Sequence, residues 1–115
     1  MWAWPVMASE STNWQPRDPT PQEYLAELAG TNFELLNRII IAESGWKADA
    51  DNPFSSASGL AQFLDSTFLT YCIDKYKLTT SLESKNNPYI QLDCMVKMIN
   101  DGGISHWNAS KHIWQ

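Results

Sequence analysis

The sequence predicts a mostly α-helical domain, and three observations lead to that fold class. Helix-capping signals stand in front of successive stretches of apolar residues. Glycine, single or doubled, follows several of these stretches, as it does at the carboxyl ends of helices. The segments between them leave room for at most a minimal β element. With 115 residues, 43% of them hydrophobic, the chain suits one domain with a modest core.

The first residues of the chain differ from the rest in composition and lack a helical pattern. The stretch "NWQPRDPTP" holds three prolines and no hydrophobic period. We therefore predict an N-terminal arm, residues 1–19, in front of a folded domain, residues 20–115. Trp2, Trp4 and Trp14 either pin this arm onto the domain or form a binding surface. The opening "MWAWPVMASE" lacks the basic start and apolar length of a complete signal peptide, so we expect a mature or trimmed form.

Two helices are predicted next. Thr20-Pro21-Gln22-Glu23 is a capping box with proline at the first helical position. It predicts a short helix through "QEYLAELA" that ends at Gly30. Thr31-Asn32-Phe33-Glu34 repeats the signal, so a second helix should start there in the same manner. That helix continues through "ELLNRIIIAES" to about Ser44.

A long irregular segment follows from Gly45 to Ser58. It is rich in Gly, Asp, Asn, Pro and Ser. A connection of about 14 residues is long for so small a domain, and loops of that length are usually functional or disordered. The compact, mostly apolar "GLAQF" comes directly after it.

Three further helices complete the prediction. Asp65 or Ser66 caps "STFLTYCIDKY", which places Phe68, Cys72 and Tyr76 on one face. The next helix, "PYIQLDCMVKMIN", opens at Asn87-Pro88 and ends at Gly102-Gly103. Ser105 starts a last short helix, "HWNASKHIW".

The charge balance excludes some partners. The chain has 8 Lys and Arg against 13 Asp and Glu, a net charge of −5 and a pI near 4.8. Such a chain lacks the basic footprint of a nucleic-acid binder and has no attraction to anionic membranes. It also has no apolar run near the roughly 20 residues of a membrane-spanning helix.

The sequence indicates no metal site and no cofactor. Cys72 and Cys94 match no metal-binding spacing. They form either one disulfide in an oxidising compartment or two buried thiols. His106 and His112 have no accompanying Cys or carboxylate pattern.

The most informative residue is Glu43, in "IIIAESGW". Leu36, Ile39 and Ile40 stand seven, four and three positions before it, so Glu43 continues an apolar stripe of its helix. Lost hydration there raises the pKa of a carboxyl, and the nearby helix C-terminus disfavours its negative charge. A carboxyl that stays protonated near neutral pH suits a general acid. The alternative is a frayed helix end with a solvated glutamate.

The residues after Glu43 carry a family resemblance. Glu-Ser, a following aromatic, a loop alanine, Gly-Leu-x-Gln and a Ser-Thr pair are matched by Glu43, Ser44, Trp46, Ala50, Gly59, Leu60, Gln62, Ser66 and Thr67. The ordered set resembles the soluble lytic transglycosylases and is close to goose-type lysozyme, within the lysozyme-like superfamily. The match covers residues 39–67 well and the rest of the chain loosely.

The resemblance implies a lysozyme-like α+β fold, mostly helical, around a long substrate cleft. The residues from Gly59 to Phe63 would cross that cleft as a short strand or extended segment. The partner would be peptidoglycan, cut at the β-1,4 bond between N-acetylmuramic acid and N-acetylglucosamine. Glu43 would protonate the leaving oxygen, while Ser44 and Gln62 position sugar and acid. We expect a monomer that is secreted or held in the cell envelope.

A second carboxylate would decide the product. Hen-type lysozymes have an aspartate two residues before the Gly-x-x-Gln, where this chain has Ala57. Two reactions stay open. In a transglycosylase the muramic acid attacks its own anomeric carbon. In an inverting hydrolase a carboxylate about 6.5–9.5 Å away activates water. Asp49, Asp51 and Asp65 are candidates for that base. The alternatives are solvation for Asp49 and Asp51, and helix capping for Asp65.

The C-terminal part departs from the family. Transglycosylases carry Ala-Tyr-Asn-x-Gly, and here Asn100 and Gly102 fit but Ile99 replaces the tyrosine. Both reactions therefore stay open. Trp46 and Trp107 are either sugar platforms or core residues, and for Trp114 we expect core packing. The predicted substrate-binding residues are Ser44, Trp46, Gln62, Phe63, Asn100 and Trp107. Other functions to weigh are a non-catalytic glycan-binding or wall-assembly module and a chitin-active enzyme.

Overall fold

The computed structural model describes residues 18–115, and this part of the chain is mostly helical, as the sequence predicts. Within it, extended pairing is limited to isolated bridges from Ser58 to Asp51 and Phe63. No helix of this part has the length and apolarity to cross a bilayer. Residues 1–17, with Trp2, Trp4 and Trp14, lie outside the described residues. The division into arm and domain therefore stays a prediction.

The first two helices begin differently. Helix α1, Pro21–Ala29, has the predicted capping box: Glu23 N donates to Thr20 Oγ1 at 3.2 Å, and Thr20 N donates to Glu23 Oε1 at 2.9 Å. The second predicted capping box is wrong. A 3₁₀ turn, Gly30–Asn32, leads directly into α2, Phe33–Ser44. Its cap residue, Asn32, has φ −86° and ψ 1° instead of the extended backbone that a capping side chain needs.

The three later helical segments follow in the predicted order. The first and the last begin earlier than predicted, and the middle one begins at Pro88 as predicted. Helix α3, Asp65–Thr67, passes into a π-helical stretch, Phe68–Lys75, and a 3₁₀ turn spans Leu82–Ser84. Helix α4, Pro88–Asn100, precedes a 3₁₀ segment, Ile104–Ser110, which runs into α5, Lys111–Trp114.

Helix starts show which capping predictions hold. Asn87 caps α4 as predicted, because its Oδ1 accepts from Tyr89 N at 2.9 Å. The prediction that Asp65 or Ser66 caps α3 is wrong, since Leu64 stands at that position. The Asp65 carboxylate is used elsewhere and lies 3.0 Å from Lys85 Nζ. The last segment begins at Ile104, one residue before the predicted start.

The core lies between α1, α2, the π-helical stretch and α4. Its fully buried side chains include Leu25, Leu36, Ile39, Phe68, Leu92 and Met95. Of the two states left open for the cysteines, the structure has the disulfide: Cys72 and Cys94 are bonded, with Cα atoms 5.5 Å apart. The bond ties the π-helical stretch to α4. Closing its loop stabilises the fold by about 3 kcal/mol on chain-entropy grounds.

A buried glutamine holds the turn that contains "GLAQF". The Gln91 side chain is fully buried on α4. Its Nε2 donates to the carbonyls of Ser58 at 3.0 Å and Lys85 at 2.7 Å, and its Oε1 accepts from Ala61 N at 2.9 Å. Gly59 has φ +86°, and a Cβ there would lie 2.1 Å from Gln91 Nε2. Only glycine therefore fits at this point of the turn.

Candidate active site

Glu43 stands in the last turn of α2, which Gly45 ends in the left-handed conformation. Leu36, Ile39 and Ile40 on the same stripe are 0% exposed. The Glu43 side chain is itself half-buried. Burial raises the pKa of the Glu43 carboxyl above its ordinary value, while a hydrogen bond from Ser110 lowers it in part. The net direction is upward, as the apolar stripe predicts.

Ser110 is the polar neighbour that reasoning from the sequence missed. It ends the 3₁₀ segment Ile104–Ser110, and its hydroxyl donates to Glu43 Oε2. Trp107 O lies 3.2 Å from the same hydroxyl, and Trp114 Nε1 donates to it at 3.0 Å. No local pattern marks this serine, because it lies 67 positions from Glu43 and only the fold brings the two together.

Ser44 is the last residue of α2 and Trp46 lies in the turn that follows, and both bond back to the helix. Ser44 Oγ donates to Ile40 O at 3.2 Å and accepts from Trp46 N at 3.2 Å. Trp46 has φ 65°, and its Nε1 donates to Asn37 Oδ1 at 2.8 Å. These bonds fix the path of the chain beside Glu43. Trp46 is partly buried against the core and keeps an accessible portion of its ring.

Gln62 holds the long loop against the "GLAQF" turn. Its Nε2 donates to Ala50 O at 3.2 Å and to Gly59 O at 2.9 Å. Gln62 has φ 55°, an unusual conformation for a residue with a Cβ. Its neighbour Phe63 is 3% exposed and packs edge-on against the rings of Phe68 and Trp107. Phe63 is thus a core residue that supports the turn.

Trp107 joins the two halves of the site. Its side chain is 4% exposed, and Nε1 donates to Ala61 O at 2.9 Å. The 3₁₀ segment therefore contacts Glu43 through Ser110 and the "GLAQF" turn through Trp107. Of the two roles weighed for Trp107, its burial favours core packing, and the sugar-platform role stays a prediction. Trp114, at 5% exposed, is in the core as expected.

Asn100 does not join the residues around Glu43. Its Oδ1 lies 3.5 Å from Asn32 Nδ2, at the start of α2. Glu43 stands ten residues into that helix, about 15 Å along its axis at the usual rise per residue. Asn100 therefore lies away from Glu43, and its predicted role in substrate binding stays a prediction.

The candidate bases have different surroundings. Asp49 and Asp51 are exposed in the long loop, as the sequence predicts, and their carboxylates have no hydrogen bond or ion pair with the described residues. The Asp51 backbone pairs with Ser58. Asp65 is paired with the buried ammonium of Lys85. Asp49 and Asp51 therefore remain the freer carboxylates.

Two cavities border the 3₁₀ segment Ile104–Ser110. A small one of about 110 Å³ is lined by Gln62, Phe63, Leu64, Thr67, His106 and Trp107. A larger one of about 280 Å³ has Tyr71, Lys75, Tyr76, Asp101 and His106 in its wall. His106 is shared, so the two are adjacent, and Glu43 lines neither of them. No group of three His, Cys, Asp or Glu side chains in residues 18–115 is arranged to hold a metal ion.

Comparison with known proteins gives a partial match. The chain is 34% identical over 101 residues to proteins named probable transglycosylase SceD from Staphylococcus aureus strains Mu3, N315 and MRSA252. The alignment covers 87% of this chain and 43% of each relative. This chain therefore spans less than half the length of the curated relatives it matches. No family model matches it, and no solved structure matches it.

Proposed function

We propose that this chain cleaves the glycan strands of peptidoglycan, with Glu43 as the general acid. The observation that carries the proposal is the environment of Glu43. A half-buried carboxyl ends an apolar helix stripe, its pKa is raised by burial, and it has a hydroxyl partner across the fold. The similarity to proteins named probable transglycosylase supports the same chemistry.

In the proposed reaction, the protonated Glu43 carboxyl donates its proton to the glycosidic oxygen. The bond cut is the β-1,4 linkage between N-acetylmuramic acid and N-acetylglucosamine. A raised pKa keeps the acid protonated closer to neutral pH, and the positive charge that develops on the sugar is then met by the carboxylate left behind.

We favour transglycosylation for the second half of the reaction, in which a hydroxyl of the muramic acid attacks its own anomeric carbon and gives its proton to the Glu43 carboxylate, which restores the acid. That route needs no second acid, and the names of the relatives agree with it. Hydrolysis is the second candidate. It is favoured by Ile99, which replaces the family tyrosine, and by the exposed carboxylates of Asp49 and Asp51, either of which would activate water.

The proposed substrate contacts are fewer than the sequence predicts. Gln62 lines the small cavity, and its Oε1 accepts no hydrogen bond from residues 18–115. It is therefore available to a sugar hydroxyl or N-acetyl N–H. The accessible part of the Trp46 ring is the proposed apolar platform. Ser44 holds the turn that carries Trp46, and Phe63 and Trp107 support the cavity from the core.

The proposed location is outside the cytoplasm, either secreted or in the cell envelope. The disulfide between Cys72 and Cys94 supports it, because such bonds persist in oxidising compartments. Peptidoglycan would be accessible there.

Digestion of purified peptidoglycan tests the proposal. We expect the parent chain to release muropeptides, and mass spectrometry to find them lighter by one water than hydrolytic products. Products that retain the water would instead mean hydrolysis. Glu43→Gln keeps the shape of the side chain but removes the acid, so we expect a loss of at least about 100-fold in rate.

Glu34→Gln is the matched control, since Glu34 lies on the same helix with a side chain that is 87% exposed. It should cleave like the parent. If Glu43→Gln also cleaves like the parent, Glu43 is not the acid. If the parent binds glycan strands or releases chitin fragments without cutting peptidoglycan, the chain is a binding module or a chitin-active enzyme.

A further inference from the structure

We propose that Ser110 is a positioning residue that holds the Glu43 carboxyl in one place in both of its protonation states. Its hydroxyl donates to the charged carboxylate and accepts from the protonated carboxyl. The catalytic consequence rests on the proposed function, whereas the contact itself is testable without any activity.

The argument starts from the neighbours of the Ser110 hydroxyl. Three polar groups of the described chain surround it: Glu43 Oε2, Trp107 O at 3.2 Å and Trp114 Nε1 at 3.0 Å. A hydroxyl has one hydrogen to donate and two lone pairs to accept with. The indole N–H of Trp114 can only donate, so it occupies one lone pair. One hydrogen and one lone pair remain for Glu43 and Trp107 O.

These remaining sites fit both states of the carboxyl. When Glu43 is charged, Ser110 donates to it, and Trp107 O accepts from the Trp114 N–H, which it shares with the Ser110 oxygen, at 3.3 Å from Nε1. When Glu43 is protonated, its O–H donates to the second lone pair, and the Ser110 hydrogen turns to Trp107 O. Each of the four groups keeps a partner in either state.

Only a hydroxyl hydrogen has to rotate between the two arrangements. The Glu43 carboxyl therefore does not need to swing when it loses its proton to a substrate and later regains one. An acid held in one position meets the same atom in each turnover, which is the benefit of preorganisation. Trp114 and Trp107, both in the core, hold Ser110 in turn.

No charged side chain duplicates this role among residues 18–115. The Arg38 guanidinium is used by Glu34 and by Trp114 O, which it reaches at 3.0 Å. None of the charged or titratable side chains on the elements around Glu43 bonds to its carboxyl. They are Glu23, Tyr24 and Glu27 on α1, Glu34 and Arg38 on α2, Lys47, Asp49 and Asp51 in the loop, His106 on the 3₁₀ segment, and Lys111 and His112 on α5. Burial raises the pKa of this carboxyl, and the hydrogen bond from Ser110 lowers it in part.

A direct test is a ¹³C NMR titration of the Glu43 carboxyl, with its signal assigned by its absence in Glu43→Gln. Ser110→Ala removes the bonds to both forms of the carboxyl, and the charge-assisted bond to the carboxylate is the stronger of the two, so the pKa of Glu43 should rise above that of the parent. Ser110→Thr keeps the hydroxyl and should titrate like the parent. Ser105→Ala is the matched control, because Ser105 is an exposed serine of the same 3₁₀ segment. An unchanged midpoint in Ser110→Ala overturns the proposal.

A second variant separates the effect of the lost hydrogen bond from the effect of loosened packing. Trp114→Phe removes the indole N–H but leaves the Ser110 hydroxyl, so it should lower the melting temperature while the Glu43 midpoint stays near the parent value. A midpoint that moves as far as in Ser110→Ala would assign the effect to loosened packing and overturn the proposal. If Ser110→Ala does not fold, Ser110→Cys provides the same comparison with a weak donor of similar shape.

Activity then tests the catalytic consequence. In Ser110→Ala the alkaline limb of the pH–rate profile should move to higher pH, and kcat should fall by roughly ten-fold, with little change in KM. If the parent chain shows no cleavage that depends on Glu43, the proposed function is wrong. The NMR titration still tests the contact between Ser110 and Glu43 in that case. If cleavage depends on Glu43 but Ser110→Ala leaves the pH–rate profile unchanged, only the positioning role of Ser110 is wrong.

Discussion

Two regions of this protein with polar groups in or near the core differ in how many hydrogen bonds those groups make. Around Gln91 and Lys85, several strong donors and acceptors tie the "GLAQF" turn to the rest of the fold. Around Glu43, a half-buried carboxyl has one hydroxyl as its hydrogen-bond partner in the described chain. The first region is satisfied and therefore stabilising. The second leaves an acid partly dehydrated, which costs stability and suits a site of chemistry.

The largest expected effect comes from a substitution at Gly59 that disrupts the packing around Gln91. In Gly59→Ala the new Cβ would lie 2.1 Å from Gln91 Nε2, in a backbone with φ +86°. Clash and strain together should lower the free energy of unfolding by about 3 kcal/mol or more. Urea unfolding measures this change.

Gly102→Ala is the matched control, since Gly102 has φ +88° but open space where its Cβ would lie. Backbone strain alone should then cost about 1 kcal/mol. Equal losses in the two variants would mean that the close approach of Gln91 to Gly59 contributes nothing to stability.

A smaller effect is expected at Lys85. Its buried ammonium donates to Ser58 Oγ at 2.9 Å and lies 3.0 Å from the half-exposed Asp65 carboxylate. The same ammonium donates to Ser56 O. Lys85→Met fills the space but leaves Ser56 O and Ser58 Oγ without that donor, so it should cost about 1–2 kcal/mol. Lys75→Met removes an exposed partner of Asp101 and should be near neutral. Thermal unfolding of the two variants compares them, and similar melting temperatures would contradict the structural role of Lys85.

The smallest expected effect concerns the region around Glu43. Here the substitution should raise stability instead of lowering it. Because the folded state raises the pKa of Glu43, native protein binds the proton more tightly than unfolded protein does. Its charge therefore lowers stability as pH rises from the unfolded pKa, about 4.3, through the folded pKa. Glu43→Gln should raise the melting temperature by a few degrees at pH 7, and the gain should vanish below about pH 4. A constant gain at every pH would show that the charge is not its cause.

Local chemistry made much of the helical framework predictable. The capping box at Thr20, the Asn87-Pro88 start and the glycine after Ser44 act within one or two turns of chain. The prediction was wrong where another contact engaged the capping side chain, or where a different type of helix preceded the predicted start. The 3₁₀ turn Gly30–Asn32 replaced a second box, and the ion pair with Lys85 took the side chain of Asp65.

The apolar placement of Glu43 was predictable from the sequence, because the helical period alone places it on the stripe of Leu36, Ile39 and Ile40. Its surroundings were not. Whether Trp107 faces core or cavity, at which end of α2 Asn100 lies and which hydroxyl meets Glu43 all depend on contacts between residues far apart in the chain. Spacing along the chain determines what shares a face of one helix, whereas only tertiary packing decides which groups from different elements meet.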